Sequence, residues 1–203
     1  MQTPPFYVFV GLVSWPAMRL LYRLDARGLD NVPPGGFVLA ANHTSSLDPW
    51  PLGFPLWPHR QLHFMAKVEL FNPILGPLLR AGGAFPVRRG ERDAQAIETA
   101  VRLCKEGRIV AMFPEGTRKE KGLRKKFEHR PRTGSARIAL AARVPLVPAA
   151  IRGTEQLSRI PRLHIAYGRP VALDDLSDVS PRDAAHIATD RLMEAIYQLH
   201  AAV

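Results

Sequence analysis

Phe37-Val38-Leu39-Ala40-Ala41-Asn42-His43-Thr44-Ser45-Ser46-Leu47-Asp48-Pro49 joins the two signals that organise this chain. Its first five residues are an apolar run of strand length, and Pro33-Pro34-Gly35-Gly36 just upstream marks the turn from which that strand starts. The chain then turns polar at once. His43 carries an imidazole, a group that titrates near neutral pH and can take a proton from an alcohol. A carboxylate on the other ring nitrogen would fix its tautomer, and Asp48 is within reach. On a straight α-helix a five-residue spacing turns about 140° around the axis, so the two side chains can meet only in a loop or tight turn. Asp48-Pro49 then reads as a helix start, with Asp as the cap and Pro at the first helical position.

The same grammar recurs downstream. Residues 62–66 read as a second short strand, leading through Lys67 into a helical stretch over 69–80 that Pro73 and Gly76-Pro77 should interrupt. Gly82-Gly83 precedes another apolar run that closes on Arg88-Arg89. Over 93–106, Ala96, Ile97, Ala100, Val101, Leu103 and Cys104 fall at helical spacing, and Gly107 ends the helix. Residues 108–113 form the next strand, with Pro114-Glu115-Gly116-Thr117-Arg118 directly after it. A helix over 133–143, strands over 144–151 and 163–167, and a last helix from Ser180 to about residue 200 complete the chain. Strand, polar residues and helix in series predict an α/β fold: a single domain with a largely parallel β-sheet flanked by helices. The polar residues gather at the carboxyl ends of the strands, where ligands bind in open α/β sheets.

The chain has 203 residues, 46% of them hydrophobic, and a formal charge of +10. That length supports one substantial core, and the charge calls for an anionic partner such as nucleic acid, a membrane surface or a phosphorylated ligand. The basic stretch from Arg118 to Arg132 lacks the aromatic interleaving that single-strand binders use for stacking, so no nucleic acid is expected. One cysteine, Cys104, excludes an internal disulfide, and no His/Cys cluster has metal-ligand spacing, so no metal is expected. Residues 6–24 are the most apolar window but carry Pro16, Arg19 and Arg23. A spanning helix needs about 20 apolar residues with few charges. Aromatic rings followed by arginines suit instead a helix lying in the membrane interface.

Four blocks taken together resemble the PlsC-type glycerophospholipid acyltransferase family, over roughly residues 29–167. Asn42-His43 with Asp48 matches its N-H-x4-D block, and Phe113-Pro114-Glu115-Gly116-Thr117-Arg118 matches its F-P-E-G-T-R block residue for residue. Gly83-Ala84-Phe85-Pro86-Val87-Arg88-Arg89 is similar to the second block, with Arg89 in the arginine place, and Val144-Pro145-Leu146-Val147-Pro148 to the fourth. Ala66-Lys67-Val68-Glu69-Leu70 also resembles a family stretch, and Arg132-Thr133-Gly134 stands in for a K-x-G element.

The resemblance implies that His43 deprotonates an acceptor hydroxyl, that Asp48 orients it, and that Lys67 approaches the reacting centre. Asn42, Arg89, Glu115, Gly116, Thr117 and Arg118 would form the substrate site, the arginines holding the acceptor's phosphate. Lys67 or backbone N–H groups near the Gly83 and Gly116 turns would serve the oxyanion. The implied reaction moves a fatty acyl group from acyl-CoA or acyl carrier protein to 1-acylglycerol 3-phosphate, giving phosphatidic acid, with no bound cofactor. Glycerol 3-phosphate, another lysophospholipid or a glycolipid are the alternative acceptors. The expected division is an N-terminal membrane-interface helix over 1–28 and an acyltransferase domain over 29–203. The expected place is the cytoplasmic face of the cell membrane, as a peripheral or monotopic protein on an anionic membrane surface.

Overall fold

The computed structural model describes residues 3–88, 93–115 and 131–203. Its strands are β1 (Asp25–Arg27), β2 (Phe37–Ala41), β3 (Leu62–Lys67), β4 (Ala84–Val87), β5 (Ile109–Met112), β6 (Leu146–Arg152) and β7 (His164–Tyr167). They form one seven-stranded sheet in the order β1-β7-β6-β2-β5-β3-β4. Every pairing is parallel except β6 with β7. The helices are α1 (Pro5–Pro16, continued by a π turn Ala17–Leu21), α2 (Pro49–Gly53), α3 (Leu75–Ala81), α4 (Ala94–Lys105), α5 (Gly134–Ala142) and α6 (Pro181–Ala201).

β2 is the hub, since all five of its residues are buried and it pairs on both sides. Successive side chains of a strand point to opposite faces, and β2 divides accordingly. Val38 and Ala40 enter one core with Val110, Ile138, Leu192 and Ile196, on the side of α4, α5 and α6. Phe37, Leu39 and Ala41 enter the other with Met18, Leu52, Ile151 and Tyr167, on the side of α1 and α2. Each fully buried aliphatic or aromatic side chain here stabilises the fold by roughly 1.5–3 kcal/mol. An apolar run without alternation is what a strand covered on both faces requires.

Helix ends follow their sequence signals in two cases. Asp93 caps α4 by accepting from Ala96 N at 3.0 Å, and Ser180 caps α6 by accepting from Asp183 N at 3.2 Å. Three expectations need correction. Asp48 makes no capping bond to α2, because its carboxylate is engaged inside the preceding loop. The chain breaks at Pro73, but α3 runs through Gly76-Pro77, because Pro77 lies in the first turn, where a missing N–H costs nothing. β1 went unforeseen: three residues with charges at both ends carry no strand signal, and the pairing with β7 creates the strand.

α1 is docked rather than free. Tyr7 and Gly11 are buried, Tyr7 meets Trp50 edge-on with ring centroids 5.7 Å apart, and Gly11 lies against Trp57. A Cβ at Gly11 would fall 1.9 Å from Trp57 Nε1, so only glycine allows this approach. The opposite face is bare: Phe9 is 61% exposed, Leu12 63% and Leu20 69%. Among the described residues no helix is long and apolar enough to cross a membrane.

Candidate active site

β2 ends at Ala41, and the next side chain fastens it to its neighbour. Asn42 Nδ2 donates to Ile151 O at 2.8 Å while Asn42 Oδ1 accepts from Ile151 N at 2.8 Å. The amide is thus engaged in both directions by β6. Asn42 was expected among the substrate contacts; its geometry is that of an anchor that aims the following residue.

That residue is His43, 8% exposed, whose Nδ1 donates to Asp48 Oδ2 at 2.8 Å. The same oxygen accepts from Thr44 N at 2.8 Å and Ser45 N at 2.9 Å. One buried carboxylate oxygen therefore closes the loop and fixes the imidazole. Burial works against the charged form of Asp48, but the hydrogen bonds from His43, the Thr154 hydroxyl nearby and the Ser45 and Thr44 N–H groups outweigh it. The carboxyl stays below its usual range. The ring of His43 stacks on Phe113 with centroids 4.2 Å apart and planes 21° from parallel, so the exit of β5 buttresses the exit of β2. With Nδ1 engaged, Nε2 is the nitrogen left for a substrate.

His43 borders a cavity of about 1250 Å³ at the carboxyl edge of the sheet. Phe64, Met65, Ile97, Met112 and Phe113 give it an apolar lining, and its rim carries Arg88, Arg132, Arg137, Arg182 and His186. An apolar interior with cationic mouth suits a molecule that is part hydrocarbon and part anion.

The other expected site residues fall into three groups. Lys67 is the last residue of β3, exposed and outside the cavity lining, so the geometry gives it no place at an oxyanion. Glu115 follows the cavity-lining Pro114 and is half-buried. Arg89, Gly116, Thr117 and Arg118 lie outside the described residues. The Gly83 turn needs correction: Gly83 precedes β4 and so stands at the opposite edge of the sheet, its N–H already bonded to Arg80 O at 2.9 Å.

Ser135, Arg137, Arg182 and His186 were missed. A signal did exist. In a parallel sheet a helix that follows a strand starts at the carboxyl edge, as α5 does after β5, and a basic residue near its N-terminus opposes the macrodipole unless an anion is present; α6 follows the antiparallel β7, so Arg182 and His186 carried no such signal. Cys104 is buried in α4 with its Sγ 3.8 Å from Phe37 O, and burial pushes its thiol up to about 12.

Compared with known proteins, residues 23–152 match the family model described as Acyltransferase. The chain belongs to the acyltransferase family. The matched span runs from just before β1 to the end of β6 and holds the His43 loop, the exits of β3, β4 and β5, and α5. A 1-acyl-sn-glycerol-3-phosphate acyltransferase of Bacillus subtilis (strain 168) is 34% identical over 175 residues, covering 84% of each protein. One from Streptococcus pneumoniae (strain ATCC BAA-255 / R6) is 30% identical over 209 residues, covering 96% of this chain and 76% of the other. The crystal structure of the 1-acyl-sn-glycerophosphate (LPA) acyltransferase PlsC from Thermotoga maritima shares the fold of this acyltransferase. The TM-score is 0.67 at 24% identity, over 96% of this chain and 78% of that one.

Proposed function

We propose that this acyltransferase moves a fatty acyl group from an acyl thioester to the free hydroxyl of 1-acylglycerol 3-phosphate, giving phosphatidic acid. The observation that carries the reading is the buried pair: Asp48 holds His43 Nδ1 at 2.8 Å and leaves Nε2 for a cavity that is apolar within and cationic at its mouth. The relatives that bear this activity in their names give the acceptor its identity. In the proposed step Nε2 takes the hydroxyl proton as the oxygen attacks the thioester carbon. The C–S bond then breaks, and the imidazolium returns a proton to the leaving thiolate. Asp48 keeps the tautomer and stabilises the transient imidazolium. The donor is acyl-CoA or acyl carrier protein; the cationic mouth suits the phosphates of either.

The bare face of α1 supports a second element of the reading. Phe9, Leu12, Val13 and Leu20 would lie in the apolar boundary of an anionic leaflet, at the cytoplasmic face of the membrane, with the active-site domain held beside its lipid acceptor. The test is an acyl-transfer assay with purified protein, both donor types, and acceptors including 1-acylglycerol 3-phosphate, glycerol 3-phosphate and a zwitterionic lysophospholipid. Phosphatidic acid should form fastest, and His43→Ala should lower the rate about 10²- to 10⁴-fold. Transfer to none of these acceptors, or an undiminished His43→Ala variant, would overturn the mechanism.

A further inference from the structure

Three helices begin at the cavity, and they differ in how their first turns are satisfied. The leading N–H groups of any helix lack intrahelical partners. In α4 Asp93 accepts from Ala96 N, and in α6 Ser180 accepts from Asp183 N. At α5 Thr133 makes no capping hydrogen bond. The second residue of this nine-residue helix is Ser135, which lines the cavity, is 1% exposed, and has no hydrogen-bond partner for its Oγ among the described residues. A buried hydroxyl without a partner costs about 1–3 kcal/mol, so such a group calls for a ligand.

The charges around it have one sign in excess. Arg132 precedes α5 by two residues, Arg137 stands one turn into it, and Arg182 and His186 on α6 line the same cavity. Two acids, Asp93 and Glu98, also line it, and Asp93 is already engaged by Arg88 N at 2.8 Å and Ala96 N. Placing arginines at a helix N-terminus opposes the dipole, a conflict that a doubly charged anion between them removes. Gly134, the first residue of α5, has no side chain to bar the approach.

We infer that the start of α5 is a phosphate-ester cradle. Ser135 Oγ and the N–H groups of Gly134 and Ser135 donate to phosphate oxygens, Arg132, Arg137 and Arg182 supply the charge, and His186 stands beside them. This deepens the acyl-transfer reading and rests on it for the identity of the ester, which is either the headgroup of the acceptor or a phosphate of the donor. A single developing oxyanion is the weaker match, since it needs one or two donors beside His43 and not three arginines around the start of one helix.

The test uses Ser135→Ala, with Arg137→Gln as a rim variant that leaves the buried helix face untouched. Initial rates are measured with acceptor and donor varied separately, and inorganic phosphate binding is followed by thermal shift on the full chain. Loss of a hydrogen bond to a charged partner should raise one KM about tenfold or more, with kcat within about twofold, and weaken phosphate stabilisation in both variants. A raised acceptor KM identifies the headgroup as the ester, and a raised donor KM identifies the carrier. A fall in kcat with both KM values unchanged would assign Ser135 to the oxyanion and overturn the cradle. Unchanged KM values and unchanged phosphate stabilisation would overturn it too. Each of these results leaves the acyl-transfer reading standing, because that reading is tested separately, by acyl transfer in the wild-type chain and by its loss in His43→Ala.

Discussion

Replacing Asp48 with Asn removes one charge from a fully buried position while keeping a planar group of the same size. In the wild-type chain Oδ2 accepts from His43 Nδ1 at 2.8 Å, Thr44 N at 2.8 Å and Ser45 N at 2.9 Å. An amide oxygen turned the same way still accepts all three, so the loop should keep its shape. The loss falls on the step in which His43 becomes a cation and faces a neutral group. Hydrogen bonds to charged groups are worth about 1.5–3 kcal/mol against about 0.5–1.5 kcal/mol for neutral pairs. That difference of about 1–1.5 kcal/mol alone gives about 5- to 13-fold in rate, and the full worth of a positioned base sets a ceiling of about 10⁴-fold. We expect kcat to fall about 10- to 1000-fold with both KM values within about threefold. Acid supplies a second readout. Because the folded carboxyl lies below its unfolded value of about 3.9, its stabilisation is complete above that pH and is lost as pH falls through the depressed folded value. The stability gap between wild type and Asp48→Asn, measured by urea unfolding, should therefore narrow between pH 5 and pH 2. A variant that melts normally and keeps half the wild-type kcat would refute the dyad.

Asn42→Ala leaves Ile151 N–H and C=O unpaired in a buried strand; at about 1–3 kcal/mol for each orphaned group, melting should drop by about 5–15 °C in differential scanning calorimetry. Little change would mean that the amide does not anchor β2 to β6. Deleting the N-terminal segment would expose the core around Met18, so the proposed membrane contact of α1 is better tested by Leu12→Glu with Leu20→Glu, on its bare side. Flotation with anionic liposomes should fall at least tenfold while the melting temperature holds, and unchanged flotation would remove α1 from the membrane contact.

The parallel sheet was legible because β2, β3, β5 and β6 are apolar runs bounded by turn residues, a pattern that burial on both faces imposes. β1 was not, since Asp25-Ala26-Arg27 becomes a strand only by lying beside β7. In the site, the spacing of His43 and Asp48 said only that the two could meet in a loop and not on a helix; the blocks downstream, and not the spacing, made them a candidate pair, and the structure brings them to 2.8 Å. What Asn42 does was not legible: an amide next to a candidate base looks like a substrate contact until β6, more than a hundred residues later, is seen to occupy it. Ser135 escaped for the opposite reason. A serine early in a helix is ordinary, and only the absence of a cap at Thr133 together with the cavity makes it conspicuous.

The proposed mechanism needs a base and no enzyme nucleophile, and two described side chains bear on that. Cys104, the one thiol, is sealed in the α4 core, and burial keeps it protonated. Ser135 lines the cavity, yet its hydroxyl has no hydrogen-bonded base to activate it. Neither offers itself as an acyl carrier, which supports the proposal that the hydroxyl activated by His43 is the acceptor's own. On that proposal donor and acceptor occupy the cavity together, with no covalent intermediate holding the acyl group between two separate visits. The shape of the site fits this proposal. An apolar lining of Phe64, Met65, Ile97 and Met112 suits acyl chains, the rim of arginines suits phosphate groups, and His43 stands at the sheet edge where the two meet.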